Sequence, residues 1–258
     1  MNKVTLFLGL FSILLISCSA DSGSSDSMRS SNQPASGQSG SMARFAINGN
    51  HLYTLSKNSV LTYNIDQSDN PLQIDSTHIA WNTTIETIFT KDTLMFFGAT
   101  DGLYIYELNN YKPFYLSQYR HIVACDPVVA DNRYAYVTLR TGNACTRGQN
   151  LLEVIDLKDI RTPKLVKSYP MSNPKGLGLS SGNKLYVCDN ALKAYSISFL
   201  NNGNEVDLNL VKQYELSGAY DIIPVWGTNR LILTATDGIY QFEFENGDFK
   251  LLSKIPVL

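Results

Sequence analysis

The stretch Lys184-Leu185-Tyr186-Val187-Cys188 decides the fold, because four other stretches share its pattern and its spacing. Each is a run of mostly apolar, strand-favouring residues that follows a short polar turn. The other four are His51–Leu55, Thr93–Phe97, Tyr134–Thr138 and Arg230–Thr234. The equivalent residues Leu52, Leu94, Ala135, Leu185 and Leu231 are 42, 41, 50 and 46 positions apart. The chain therefore contains five copies of one structural unit.

Each copy predicts four strands. A shorter apolar segment precedes the polar turn, and a second turn leads to a third and a fourth strand, which is the signature of consecutive hairpins. The predicted third strands are Val60–Ile65, Leu103–Leu108, Leu152–Leu157, Leu192–Ile197 and Ile239–Phe244. Four antiparallel strands in every 40 to 50 residues are typical of a β-propeller blade.

The sequence thus predicts an all-β protein, a five-bladed β-propeller of four-stranded antiparallel blades in residues 42–258. A seven-bladed ring would need roughly 280 to 315 residues. A β-sandwich is the alternative, but it would not require matching units at this period. The predicted blades are about 42–81, 82–120, 121–170, 171–217 and 218–258.

Residues 1–17 have the pattern of a lipoprotein signal peptide. Lys3 precedes the apolar run Val4–Ile16, which is shorter than the ~20 residues of a membrane-spanning helix. The run ends in Leu15-Ile16-Ser17-Cys18, which resembles the bacterial lipobox. That resemblance implies lipidation of Cys18 and a lipid-anchored protein of the bacterial cell envelope, on the periplasmic side or at the surface. An ordinary secretory signal and an uncleaved anchor helix are the alternatives.

Residues 18–41 are predicted to be a tether. Ten Ser and three Gly occupy the 23 positions from Ser19 to Ser41, and such a composition does not favour an ordered core. A coil of this length has an r.m.s. span of roughly 25 to 29 Å.

The third strands carry a family resemblance. Leu152-Glu153-Val154-Ile155-Asp156 resembles the LVIVD repeat of propellers from Bacteroidetes-like cell envelopes, and the other third strands are weaker copies. Pro71, Pro113 and Pro163 follow at the distance at which that family turns into the outer strand. Blades 4 and 5 lack this proline, and Ser196 replaces the acidic residue in blade 4. The resemblance implies a secreted or lipid-anchored propeller.

Charged residues are predicted near the start of each innermost strand. All innermost strands of a propeller line one central channel, so these side chains should approach one another. They are Arg44, Glu86, Asp126, Lys175 and Asp221. They form either a self-neutralising ring or a binding site for a polar ligand, because a confined channel concentrates the field of its charges.

The second turn of blade 3 is expanded by residues 140–150. Long loops on a rigid scaffold often carry function, so Arg140 and Arg147 are candidate contacts for an anion or carboxylate. A solvated loop without a ligand is the alternative.

Three cysteines remain if Cys18 is lipidated. Cys125 and Cys145 are predicted at the same rim of blade 3, so we expect a disulfide between them in an oxidising compartment. Cys188 is the competing partner for Cys145, and metal binding by the three cysteines is a further alternative. The three histidines lack a ligand-like spacing, so neither a metal site nor a cofactor is predicted.

The charge balance and the motifs limit the function. With 21 basic and 23 acidic residues the chain has no cationic surplus for nucleic acid. No motif predicts a catalytic residue. We therefore expect a protein- or glycan-binding interaction module at the envelope. The alternatives are a glycan hydrolase that uses Glu86, Asp126 and Asp221, and a structural or assembly subunit of an envelope complex.

Replacement of the predicted lipidation site tests the anchor. We expect Cys18→Ser to move the protein from the detergent phase into the soluble envelope fraction, or to leave it unprocessed. Detergent partitioning and the mass of the mature N-terminus measure this. Unchanged partitioning would contradict a lipid anchor at this residue.

Overall fold

The computed structural model of the chain describes residues 36–37, 40–81, 83–120, 127–141 and 149–257. These residues form five antiparallel sheets arranged as a five-bladed β-propeller, which confirms the predicted fold. The only helix within these ranges is a single 3₁₀ turn, Asn201–Gly203. No helix in the described ranges is both long and apolar enough to cross a membrane.

Each blade is built from four strands consecutive in sequence, with the first strand innermost and the fourth outermost. Blade 1 contains β2 (Phe45–Asn48), β3 (His51–Ser56), β4 (Ser59–Asn64) and β5 (Leu72–His78). Blade 2 contains β6 (Ile85–Lys91), β7 (Leu94–Ala99), β8 (Gly102–Asn109) and β9 (Lys112–Arg120). Blade 3 contains β10 (Val128–Ala130), β11 (Tyr134–Leu139), β12 (Leu151–Asp156) and β13 (Lys164–Pro170). Blade 4 contains β14 (Leu177–Ser180), β15 (Lys184–Cys188), β16 (Leu192–Leu200) and β17 (Glu205–Tyr214). Blade 5 contains β18 (Ala219–Pro224), β19 (Arg230–Ala235), β20 (Gly238–Glu245) and β21 (Asp248–Pro256). A further short strand, β1 (Ser36–Gly37), pairs with β2.

Two Asp-Gly pairs make the tight turns between the second and third strands of blades 2 and 5. Gly102 and Gly238 have φ values of 153° and 156°. A Cβ atom on Gly102 would lie 2.3 Å from the carbonyl oxygen of Tyr119. Both turns are closed by the tyrosine three residues after the aspartate, because Tyr104 Oη donates to Asp101 at 3.0 Å and Tyr240 Oη donates to Asp237 at 2.9 Å.

The outer strand of every blade carries a β-bulge, which the sequence analysis does not predict. In each blade the pairing of the third and fourth strands skips one residue of the fourth. That residue is aliphatic in all five blades: Ile74, Leu116, Val166, Val211 and Leu252. A bulge twists and interrupts the outer edge, so it opposes pairing with the edge of another sheet.

Hydrophobic clusters fill four of the five junctions between neighbouring blades. One packs blade 1 on blade 2, and the next three pack blades 2 and 3, 3 and 4, and 4 and 5. Among the described residues no such cluster spans the junction of blades 5 and 1. In β19, Leu231 and Leu233 are buried toward blade 4, whereas Ile232 between them is 38% exposed. This junction therefore needs another kind of contact.

The N-terminal segment supplies that contact. β1 pairs antiparallel with the inner edge of β2, Ser36 opposite Asn48 and Gly37 opposite Ile47. It is followed by a turn, Gly40–Ala43, in which the Ala43 amide donates to the Gly40 carbonyl at 3.1 Å. We call Gly40–Ala43 the central turn.

The central turn bonds to three other blades. The Ile88 amide of blade 2 donates to the Ala43 carbonyl at 3.0 Å, and the Leu177 amide of blade 4 donates to Ser41 Oγ at 2.7 Å. Ser41 Oγ in turn donates to Asp221 of blade 5 at 3.2 Å. Ser41 has no exposed surface. Ser41, the last residue of the predicted tether, is thus buried between blades 4 and 5.

Two glycines make room for the Asp221 carboxylate. A Cβ atom on Gly40 would lie 1.9 Å from Asp221 Oδ2, and one on Gly176 would lie 2.6 Å from the Asp221 Cα atom. Contacts this short force neighbouring atoms to move, and overpacking of this kind costs about 1–3 kcal/mol.

We expect Gly176→Ala to lower the free energy of unfolding by about 2–3 kcal/mol, because the clash includes backbone atoms. Gly182→Ala is the matched control, since a Cβ atom there meets nothing within 4 Å. It should change stability by less than about 1 kcal/mol. Urea denaturation followed by circular dichroism measures both. Equal stability of the two variants would show that Asp221 is not tightly enclosed.

Candidate functional site

The candidate site lies at one end of the propeller. We call front face the end at which the inner strands β2, β6, β10, β14 and β18 begin, and back face the end at which they finish. The central turn lies at the front face because it directly precedes β2. Since β1 runs antiparallel to β2 and Ser36 pairs with Asn48, the chain reaches the central turn from the back face.

Asp221 is the polar centre of the front face. Its carboxylate accepts hydrogen bonds from Ser41 Oγ, from the Met42 amide at 3.3 Å and from the Ile222 amide at 3.0 Å. Burial raises the pKa of Asp221 to about 6, although these hydrogen bonds favour the ionised form. The side chain is thus covered by the central turn and holds the propeller together.

Arg44, Glu86 and Arg140 form the second charged group, which joins blades 1, 2 and 3. Arg44 follows the central turn, is exposed, and donates from Nη1 to the Glu86 carbonyl at 3.4 Å. Burial raises the pKa of the Glu86 carboxyl group, and the charges of Arg140 and Arg44 partly oppose this effect. The charges of two arginines therefore act on one half-buried carboxylate. We call these three residues the arginine site.

Lys175 and Tyr220 stand on the other side of the central turn. Lys175 Nζ lies 5.7 Å from the centre of the Tyr220 ring, and Tyr220 is 46% exposed. Phe45, next to Arg44, is 54% exposed. The front face therefore offers accessible cations together with exposed aromatic rings, a combination that suits a ligand with both negative charge and apolar surface.

The structure places the residues of the predicted ring of charges in two different environments. In β6 the pairing with β7 skips Glu86, and in β18 the pairing with β19 skips Tyr220. Glu86 therefore corresponds to Tyr220 and not to Asp221, which corresponds to Thr87. The charges of Arg44 and Arg140 act on Glu86, whereas Asp221 is hydrogen-bonded to the central turn.

Several predicted residues lie outside the described ranges: Cys18, Cys125, Asp126, Cys145 and Arg147. The disulfide between Cys125 and Cys145 thus stays a prediction. Cys188 is a buried free thiol, and burial raises its pKa well above the usual value. Within the described ranges no group of three His, Cys, Asp or Glu side chains is placed to hold a metal ion.

Sequence reasoning missed Ser41, Gly40 and Gly176, which build the contact around Asp221. Ser41 and Gly40 end a Ser-rich segment and have the composition of a tether. The one sign of this contact in the sequence is Gly176, which directly follows Lys175 at a position where the other inner strands carry side chains.

Fold and site together define a β-propeller with a polar front face. No protein-family model matches the chain, and no curated protein matches it. Solved structures do match. The periplasmic gluconolactonase of Pseudomonas aeruginosa has a TM-score of 0.62 and 14% identity, over 81% of this chain and 68% of that one. A protein from Lactobacillus plantarum has a TM-score of 0.62 and 13% identity, over 80% and 67%. Hsv2p of Kluyveromyces lactis has a TM-score of 0.53 and 13% identity, over 80% and 60%. Identities this low show a shared fold alone.

Asp221 makes the folding stability depend on pH. Its pKa is about 6 in the folded protein against 3.8 for an ordinary aspartate, so the folded state binds the proton more tightly. The free energy of unfolding should therefore fall as the pH rises through this interval, by roughly 3 kcal/mol for this group. We expect the difference in that free energy, wild type minus Asp221→Asn, to fall by about this amount between about pH 4 and pH 7. Parallel stability curves for the two proteins in urea denaturation would contradict the assignment.

Proposed function

We propose that the protein is a lipid-anchored binding module of the bacterial cell envelope that recognises an anionic protein or glycan at its front face. The observation that carries the proposal is the arginine site. The Arg44 guanidinium donates to the Glu86 carbonyl, and the charges of Arg44 and Arg140 both act on the Glu86 carboxylate, so the three residues together carry a net positive charge. Guanidinium groups bind carboxylates and phosphates through paired hydrogen bonds, which makes an anionic ligand the natural occupant.

Two features of the sequence support the lipid anchor. The lipobox and the resemblance to LVIVD-repeat propellers both support an anchored envelope protein.

The glycan hydrolase alternative is not favoured. Glycoside hydrolysis needs two carboxyl groups that face one substrate, one of them able to donate a proton. Asp221 is instead covered by the central turn, and the Glu86 carboxylate is subject to the positive charges of Arg44 and Arg140. Neither carboxyl group is placed as the open member of such a pair.

The structural or assembly alternative differs from a binding module in what it retains on purification. A subunit of an envelope complex would carry a stoichiometric protein partner whether or not the arginine site is intact. A binding module would lose its ligand when that site is changed, because each charge-assisted hydrogen bond contributes about 1.5–3 kcal/mol.

The test is a pull-down of the intact protein from envelopes in gentle detergent, followed by mass spectrometry of proteins and glycans. We expect the affinity of the double variant Arg44→Gln/Arg140→Gln for the ligand to be at least about 100-fold weaker, because about 3 kcal/mol or more of binding free energy is lost. Binding to the wild type should also weaken as salt is added.

Arg161→Gln is the control variant, because Arg161 is exposed in the connection of β12 and β13 at the back face. It should recover the same ligand as the wild type. Recovery of the same ligand in equal amount by the double variant would show that the arginine site does not bind it.

A further inference from the structure

Trp81 is the most exposed of the large apolar side chains in the described ranges, with 81% of its surface accessible. It lies in the connection between β5 and β6, at the front face. A single exposed apolar side chain is ordinary on a protein surface. What distinguishes Trp81 is the way its ring and its backbone are held.

The backbone on both sides of Trp81 is anchored. The Ile79 amide donates to the Asn58 carbonyl at 2.9 Å, and Tyr106 Oη donates to the Ile79 carbonyl at 2.7 Å. Ile79 and Ala80 are buried at 6% and 3% exposure. Beyond the tryptophan, the hydroxyl groups of Thr83 and Thr100 are hydrogen-bonded at 2.9 Å. The two residues that precede the tryptophan are therefore held in place by blades 1 and 2.

A second ring supports the indole. The centres of the His78 and Trp81 rings are 3.9 Å apart with an interplanar angle of 43°. His78 is itself placed by the end of β5, opposite Ser59, and its Nδ1 lies 3.4 Å from Ser59 Oγ. The imidazole restricts the indole on one side and leaves most of its surface accessible. Little side-chain freedom is then lost when a ligand binds, which favours affinity.

The polar neighbourhood indicates which ligand fits. Protein hot spots are large side chains enclosed by further apolar contacts that exclude water. Here Ser59 lies opposite His78 in the sheet, with its Oγ 3.4 Å from His78 Nδ1, and the exposed Thr84 follows three residues after Trp81. An exposed aromatic surface with a hydroxyl group at its supporting ring suits a sugar ring, which has an apolar face of C–H groups and an edge of hydroxyl groups.

We propose that His78 and Trp81 form a stacking platform for a sugar ring. The inference rests on the proposed function in placing the ligand at the front face, and it names the ligand class as a saccharide. The platform lies at the outer strand of blade 1, and Arg44 precedes the inner strand of the same blade. Three strand spacings of about 4.8 Å, or roughly 14 Å, separate these strands. An acidic oligosaccharide can contact both, with a sugar ring on Trp81 and an acidic group at the arginine site.

The test uses the detergent-solubilised full-length protein on an array of neutral and uronic-acid oligosaccharides, followed by isothermal titration calorimetry of the best binder. We expect Trp81→Ala to weaken binding at least tenfold and Trp81→Phe to retain part of it. Trp226→Ala is the matched control, because Trp226 is 72% exposed in the turn between β18 and β19 at the back face. It should bind as the wild type does. Far-ultraviolet circular dichroism and melting temperature confirm that each variant folds.

The outcomes separate this inference from the proposed function. Wild-type affinity in Trp81→Ala would overturn the platform, even if Arg44→Gln/Arg140→Gln still weakened the binding of acidic saccharides. Absence of saccharide binding by the wild type would also overturn it, while recovery of an anionic protein would leave the proposed function standing. Loss of a protein partner, but of no saccharide, in Trp81→Ala would overturn it in favour of a protein contact. A tenfold loss restricted to Trp81→Ala and the arginine variants would support one extended saccharide site.

Discussion

The hydrogen bonds around the Asp221 carboxylate hold together the two ends of the blade series. Blades 1 to 5 pack on one another through apolar clusters at four junctions. The last junction depends on a serine hydroxyl group and two backbone amides, with Ser41 placed between Leu177 and Asp221. A buried polar network stabilises a structure only when every member is satisfied. Closure of the ring is therefore specific, because these hydrogen bonds need defined donors and acceptors, whereas apolar contacts do not.

The same contact positions the candidate site. Arg44 is the residue after the central turn, and the Ala43 carbonyl is fixed by the Ile88 amide of blade 2. The guanidinium group that approaches Glu86 thus starts from a backbone held by blades 2, 4 and 5. A shift of the central turn would move Arg44 relative to Glu86 and Arg140. The stability of the propeller and the geometry of its arginine site are coupled through this one segment.

The sequence predicts the blades because each hairpin is encoded locally. The run Lys184–Cys188 needs only its neighbouring turns to form, and the Asp237-Gly238 turn needs only a residue that adopts positive φ. The outer bulges escaped prediction, since an extra aliphatic residue such as Val211 looks like ordinary strand sequence. The central turn escaped for a different reason. Its order comes from partners that include residues 136 and 180 positions away in the chain, and composition reports only on local preferences.

For the charged residues of the front face, local sequence likewise predicts their positions but not their contacts with distant residues. The sequence located Arg44, Glu86, Lys175 and Asp221 near strand starts, but only the fold distinguishes their roles. The apolar clusters between the blades contain none of the arginine-site residues, so the charges at this site can change without loss of these clusters. Asp221 lacks this freedom, because its carboxylate is enclosed by Gly40 and Gly176 and bonded to the central turn. The front face therefore has two parts: the cations and aromatic rings, which the fold does not require, and Asp221, which it does.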